Sequence, residues 1–429
     1  MLDRFLLRYK QSRVGQNISW IVGGRLIQML IAFVVNILTA RYLGPSNFGL
    51  INYAAVYTGF FTSICSLGLN SIIVKELLDN KERQGESLGT VIALKAIASF
   101  FSCIAIWALS SIIDKNKPET TIVVLLCSIG LFFQAFSIFE FWFQSRLESK
   151  TSSIATIIAY IFMSLYKVIL LVKGMSVEWF AMATSVDYFT ISVILYFLYK
   201  KNGGSPLHFS FTAAKRMLSQ SYHFILSSLM VSIYGNTDKF MLKNMLNSEE
   251  MVAYYSTAVS LCTTWVFVLQ AIIDSFYPTI MESYKSDYST YKKRNEQLYS
   301  LIFYISISVS TVISLIAAPA VKFLYGEAYE AAISPLRVIT WYTAFSYLGV
   351  ARNAWLVCEG KQKYLKYIYG SAIILNVLLN WALIPYYTAT GAAIASLVTQ
   401  IATTIVLPLF IKPIRDNSIM MLRAISFRK

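Results

Sequence analysis

Apolar runs of about 20 residues recur along the whole chain, and each is long enough to cross the hydrocarbon of a bilayer as a helix. They fall near residues 18–39, 47–69, 88–113, 120–143, 152–173, 178–199, 217–241, 251–276, 298–318, 335–357, 366–386 and 390–411. Lipid offers no partner to backbone N–H and C=O groups, so runs of this kind must close their hydrogen bonds internally. The expected fold is an all-α integral membrane protein of about twelve transmembrane helices. Composition agrees: 56% of the 429 residues are apolar and 14% charged, against roughly 25% charged in soluble domains. A net charge of +15 raises nucleic acid as a target. The cations, however, sit in short segments between the apolar runs rather than on one basic face, so no nucleic-acid partner is expected.

Those cations set the orientation. Of the 37 Lys and Arg, 25 lie in 1–17, 70–87, 144–151, 200–216, 277–297, 358–366 and 412–429, and only 7 in the alternate connections. Cytoplasmic loops carry the excess of positive charge, which places both termini in the cytoplasm. Residues 1–17 are basic and amphipathic, and the first apolar run is too long for a signal peptide. The five cysteines all lie inside apolar runs with no CxxC pair, the pattern of packing residues.

The stretch 200–216, which contains Lys200, Lys201, Asn202, Gly203, Gly204, Ser205 and Pro206, is linker-like and divides six runs from six. Weak internal similarity crosses it. LGPSNFGLINYAA (43–55) parallels LNSEEMVAYYSTA (246–258), and FQSRLESK (143–150) parallels LVCEGKQK (356–363). The expectation is a duplicated chain, 1–205 and 206–429, each part a six-helix bundle. With an even number of crossings per half, the repeats are parallel, and substrate binds between them. Within the first copy, Leu43-Gly44-Pro45 breaks the helix, and Ser46 or Asn47 can cap the next one.

Ionisable groups inside spans cost roughly 2.5–3.5 kcal/mol each on insertion scales and need a partner, water or a task. Snorkelling to an interface accounts for Arg352, Asp274, Glu140, Asp238 and Lys239. Arg25, Lys95, Lys167 and Asp187 lie deeper. Arg25, Gln28, Ala32 and Asn36 form one polar or small stripe at helical spacing, and Lys95, Ser99 and Ser102 another. Tyr160, Ser164 and Lys167 form a third, and Ser228, Ser232, Asn236 and Lys239 a fourth. Interhelical hydrogen bonding accounts for such stripes in many bundles; facing one another, they line a wet cavity instead. Three deep cations against one central acid make that cavity basic. It suits a phosphate or diphosphate held by Arg25, Lys95 and Lys167, with Gln28, Asn36, Asn236 and Lys239 as further polar lining. Asp187, Asp274 and Glu140 are the candidates for proton or Na⁺ coupling. No cofactor is implied, and no P-loop or nucleophile motif occurs in the sequence. Short outer connections leave no room for an extracytoplasmic catalytic domain, so an enzyme is not expected.

The segment Gly24 to Glu76, above all ARYLGPSNFGLINYA (40–54) and SLGLNSIIVKEL (66–77), resembles the Wzx-type polysaccharide flippases. YPTIMESYKSD (277–287), EGKQKYL (359–365) and GAAIASLVTQ (391–400) extend the resemblance over nearly the whole chain. It implies membership of the multidrug/oligosaccharidyl-lipid/polysaccharide exporters, with two six-helix bundles in a V around a central cavity. It further implies a monomer in the bacterial inner membrane, surrounded by lipid and working beside other polysaccharide-assembly proteins. The implied task is to turn over an undecaprenyl-pyrophosphate-linked oligosaccharide for O-antigen or capsule, with Arg25 matching a basic residue often found in the first helix of that family. A cation-coupled multidrug antiporter of the same superfamily is the runner-up and would favour an acidic chamber. A membrane glycan polymerase or ligase would require a large outer loop.

Overall fold

The computed structural model describes residues 13–115 and 117–426, all helix, turn or short connection, with no strand among them. Much of the N-terminal basic segment expected above lies outside these residues. The helices are α1 (Arg13–Ser66), α2 (Ile73–Asp79), α3 (Gln84–Ile113), α4 (Pro118–Gln134), α5 (Ile138–Ser145), α6 (Ser149–Val172), α7 (Val177–Lys201) and α8 (Phe211–Leu246). They continue as α9 (Glu249–Thr263), α10 (Phe267–Ser286), α11 (Tyr288–Tyr325), α12 (Ile333–Ile339), α13 (Tyr342–Cys358), α14 (Leu365–Ile401), α15 (Leu407–Phe410) and α16 (Arg415–Ile425).

Among the described residues, seven stretches of helix are long and apolar enough to cross a bilayer, or eight if the pair α9 and α10, bent by 44°, counts as one. Two of the seven, Gly23–Ser66 and Gln362–Phe410, run to 44 and 49 residues, twice the length of one crossing. Each covers two of the expected apolar runs and breaks in the middle. The first break is at Gly44, whose φ of 69° is open to glycine at little cost, followed by Pro45, which has no N–H to donate. The second is at Thr388, which takes φ 50° despite its branched Cβ. The tight turn after it depends on Gly391, where a Cβ would stand 2.5 Å from the Leu383 carbonyl oxygen. Elsewhere the helices end by ordinary means. Gly174, in the left-handed region, closes α6 with Met175 N–H donating to the Leu170 carbonyl at 3.1 Å. Asp287 caps α11 by accepting from the Ser289 and Thr290 backbone N–H groups. The Thr290 hydroxyl and those two N–H groups hold its carboxyl down at about 2.

The chain divides into two compact units, one made of Leu50–Ser232 with the chain up to Leu43, the other of Gly44–Gly49 with Ile233 onward. In the first unit Leu69, Ile73, Leu88, Phe139, Trp142 and Tyr199 are fully buried around Met217. Trp142 stacks edge-on against Tyr199 at 4.9 Å and donates its indole N–H to Gln84 Oε1 at 3.0 Å, which satisfies the one polar atom it buries. In the second unit Leu298, Tyr299, Leu348, Trp355 and Met421 form the core, and Asn417 donates to the Tyr299 hydroxyl at 2.6 Å. Outside these cores large apolar side chains are bare, among them Phe101, Val172, Phe323 and Trp381. Patches on this scale require a nonaqueous surround.

Of the segments matched by internal similarity, 44–49 and 246–258 meet inside the second unit. A Cβ on Gly49 would overlap the Glu249 carbonyl, and Phe48 lies edge-on to Tyr329 at 6.2 Å.

The linker-like stretch is strapped down rather than free. Ser210 N–H donates to Thr90 Oγ1 at 3.0 Å, the Tyr199 hydroxyl donates to the Ser205 carbonyl at 2.6 Å, and Arg216 pairs with the buried Glu76. The first half of α8 is held in the same unit: Ser63 Oγ donates to the Ser228 carbonyl at 3.0 Å and Ser232 Oγ to the Gly59 carbonyl at 2.6 Å. The unit boundary therefore falls inside α8, between Ser232 and Ile233. The strap lies against α3 where Gly89 leaves space; a Cβ there would stand 2.7 Å from His208 N. Gly89→Ala is thus expected to destabilise the protein by about 1–3 kcal/mol. Gly235→Ala, with nothing within 4 Å, is expected to be neutral or to gain up to about 1 kcal/mol. Equilibrium unfolding in mixed micelles reads both, and equal effects would refute the strap.

Candidate functional site

In the first unit the deep charges fall into two groups. Helix α1 approaches α6 at Gly24, where a Cβ would stand 3.2 Å from Ser153 Cβ. The next residue, Arg25, is exposed and lies within electrostatic reach of Glu140 on α5. Glu140 interacts in turn with Tyr160 on α6, and Tyr160 with Asp187 and Tyr188 on α7. Asp187 then faces Lys167 of α6. Arg25, Glu140, Tyr160, Asp187 and Lys167 therefore form one connected electrostatic chain over four helices, with a cation at each end, two carboxylates inside them and Tyr160 between the carboxylates. Asp187 Oδ1 is buried and has no hydrogen-bond partner among the described residues, a cost of about 1–3 kcal/mol unless a proton, water or cation answers it. Gln28 and Asn36 are half-buried on α1.

Lys95 stands apart from this chain. It is buried on α3, donates to Asn70 Oδ1 at 2.6 Å, and lines a cavity with Ser66, Ser99, Gln134 and Ser137.

In the second unit, sequence reasoning missed the most connected polar group. Asp238, expected to snorkel near the outer end of its span, is only 6% exposed. Its Oδ1 accepts from Asn376 at 3.0 Å and Asn380 at 2.7 Å, and its Oδ2 from the hydroxyls of Tyr255 and Ser396. Four donors thus converge on one carboxylate from α9 and both arms of α14. Lys239 lies within electrostatic reach of it, and Asn236 is half-buried one turn earlier. The available signal was the i, i+4 pair Asn376 and Asn380 inside an apolar run, a spacing that aims two amides at one point.

Arg352, also expected to snorkel, is instead 3% exposed. It donates to the Thr404 carbonyl at 3.4 Å, which belongs to a π-helical turn at Ala402–Val406. Wide turns of this kind collect at functional positions. Just before it on α14, Gln400 bonds Tyr234 and Thr404 at 3.0 Å each. Asp274 is exposed and accepts from Gln270 on its own helix at 2.9 Å, so it joins neither network.

The polysaccharide biosynthesis protein family matches residues 14–284. A putative O-antigen transporter of Shigella flexneri is 22% identical over 402 residues, 89% of this chain and 93% of that protein. The capsular polysaccharide biosynthesis protein CapF of Staphylococcus aureus is 21% identical over 404 residues, covering 91% and 97%. Among solved structures, the lipid II flippase MurJ in an inward closed conformation superposes with a TM-score of 0.70 at 13% identity, over 95% of this chain and 91% of that one. An inward-facing multidrug resistance transporter of the MATE family gives 0.68 at 16% identity, covering 94% and 96%. At such identities the two structures share a fold with this chain and nothing finer.

Proposed function

The chain belongs to the polysaccharide biosynthesis protein family, and on that premise we propose that it is a multi-pass flippase for a lipid-linked oligosaccharide. The reading is carried by end-to-end similarity to an O-antigen transporter and to a capsule biosynthesis protein. It works by moving its substrate rather than by covalent chemistry, so it is not an enzyme. The substrate is an undecaprenyl-pyrophosphate-linked repeat unit, taken from the cytoplasmic to the periplasmic leaflet of a bacterial inner membrane. The protein acts as a monomer with twelve crossings, both termini cytoplasmic, and supplies other polysaccharide-assembly proteins.

The physical problem is the diphosphate. Moving an ion from water to hydrocarbon costs several kcal/mol even after relaxation, while the polyprenyl tail stays in lipid. Arg25 offers a planar fork to phosphate oxygens and Lys167 a point charge, with Gln28 and Asn36 further along the Arg25 stripe of α1. Glu140 and Asp187 neutralise these cations when no substrate is bound, and the unpaired oxygen of Asp187 is the place for a coupling proton or Na⁺. Rocking of the halves changes the side from which the head group is reached.

A strain lacking the gene should accumulate lipid-linked oligosaccharide on the inner leaflet, and purified protein in vesicles should move a synthetic polyprenyl-diphosphate glycan between leaflets. Efflux of cationic dyes without glycan movement would replace this reading with the multidrug one, for which the MATE-like fold is the supporting observation.

A further inference from the structure

We propose that the Lys95 pocket of the first unit holds one small monovalent anion, either a halide from solution or a single carboxylate. The pocket lies between α1, α3 and α4 and has a volume of about 40 Å³. Lys95 is 3% exposed, and among the described residues the Cys65 thiol, rather than a carboxylate, is its electrostatic neighbour. A buried ammonium without a counter-charge is costly enough that an anion entering from solution gains what no side chain provides.

The hydrogen bonds around it point the same way. Lys95 has three N–H groups, and one is used, on Asn70 Oδ1 at 2.6 Å. The hydroxyls of Ser66, Ser99 and Ser137 donate to backbone carbonyls of Ser63, Leu131 and Gln134 at 2.9, 2.9 and 2.8 Å. With the Asn70 oxygen taken by Lys95, its NH₂ remains for a ligand, and the Gln134 carboxamide lines the same wall. Two N–H of the ammonium and the NH₂ groups of the two carboxamides are thus available to a ligand, beside hydroxyl and carboxamide oxygens that can accept from an accompanying water. The fixed positive charge of Lys95 among these donors favours an anion over a cation.

Size selects the class. A buried water needs roughly 10–15 Å³ by the same measure, so the pocket has room for about three waters, or one halide with a water. A sugar diphosphate does not fit. Asn70 is exposed and forms the mouth through which an ion or a carboxylate group would enter. The inference does not depend on the flippase reading, because it concerns the protein without lipid-linked substrate.

Purified full-length protein is titrated with sodium chloride, bromide, acetate and glucuronate against sodium sulfate at constant ionic strength, and its thermal midpoint followed. A saturable rise is expected in the wild type and none in Lys95→Met, which removes an uncompensated buried charge and should fold at least as well without halide. Asn70→Leu and Gln134→Leu should each raise the half-saturating concentration about tenfold. A bromide-soaked crystal should give an anomalous peak within hydrogen-bond distance of Lys95 Nζ. Saturation by chloride and bromide assigns the site to a free halide; saturation by acetate or glucuronate alone assigns it to a carboxylate. Equal shifts in wild type and Lys95→Met, or no saturable shift with any anion, would overturn the proposal.

Discussion

Replacing Asp238 with alanine is expected to destabilise the protein by about 3–5 kcal/mol, an effect of the size seen when a buried charge network loses one member. The carboxylate is the common acceptor of Asn376, Asn380, Tyr255 and Ser396, and its removal strands donors from helices far apart in sequence. Each stranded buried donor costs about 1–3 kcal/mol. Part of this is recovered, because Asn380 already donates to Asn376 Oδ1 at 3.1 Å and both hydroxyls can turn. Asp238→Asn keeps one acceptor oxygen and the volume, so its loss should be about half as large. Unfolding titrations of both variants in mixed micelles measure the difference. If the alanine variant lies within 0.5 kcal/mol or so of wild type, below the usual effect of a core change, the network does not hold the second unit together.

Periodicity and charge made the helices legible, because lipid leaves the backbone no alternative. The break at Gly44 was visible for the same local reason, a glycine and a proline in succession. Thr388 was not, since a threonine with positive φ is imposed by its surroundings and carries no mark of its own. Depth in apolar runs marks Lys95 and Lys167 as cations within the spans, of which Lys95 is buried and Lys167 half-buried. What each faces was not legible, because Asn70 and Asp187 come from other helices, 25 and 20 positions away. Asp238 and Arg352 show the reverse error. Depth along a span does not fix exposure; lateral packing decides whether a side chain near a helix end reaches water. The strap of 204–210 shows the same limit. Glycines and lysines look like a linker, and only the facing surface of α3, flattened at Gly85 and Gly89, turns it into a packed element.

Arg25→Gln should slow glycan movement about 10–100-fold, the equivalent of the 1.5–3 kcal/mol that a hydrogen bond to a charged group contributes. Arg25→Lys should fall between, since it keeps the charge and loses the fork. Because Arg25 is exposed, neither change should disturb folding. Lys167→Gln should lower transport similarly and also destabilise the fold, because it takes the Lys167 charge away from the half-buried Asp187, whose Oδ1 is enclosed. Adding Asp187→Asn separates the two consequences: the double variant should recover stability while transport stays low. Flipping is read in vesicles as the fraction of lipid-linked glycan reached by a membrane-impermeant glycosidase, and stability by unfolding of the same preparations. If Arg25→Gln moves glycan at the wild-type rate, or if transport returns together with stability in the double variant, these cations serve packing alone and the diphosphate is held elsewhere.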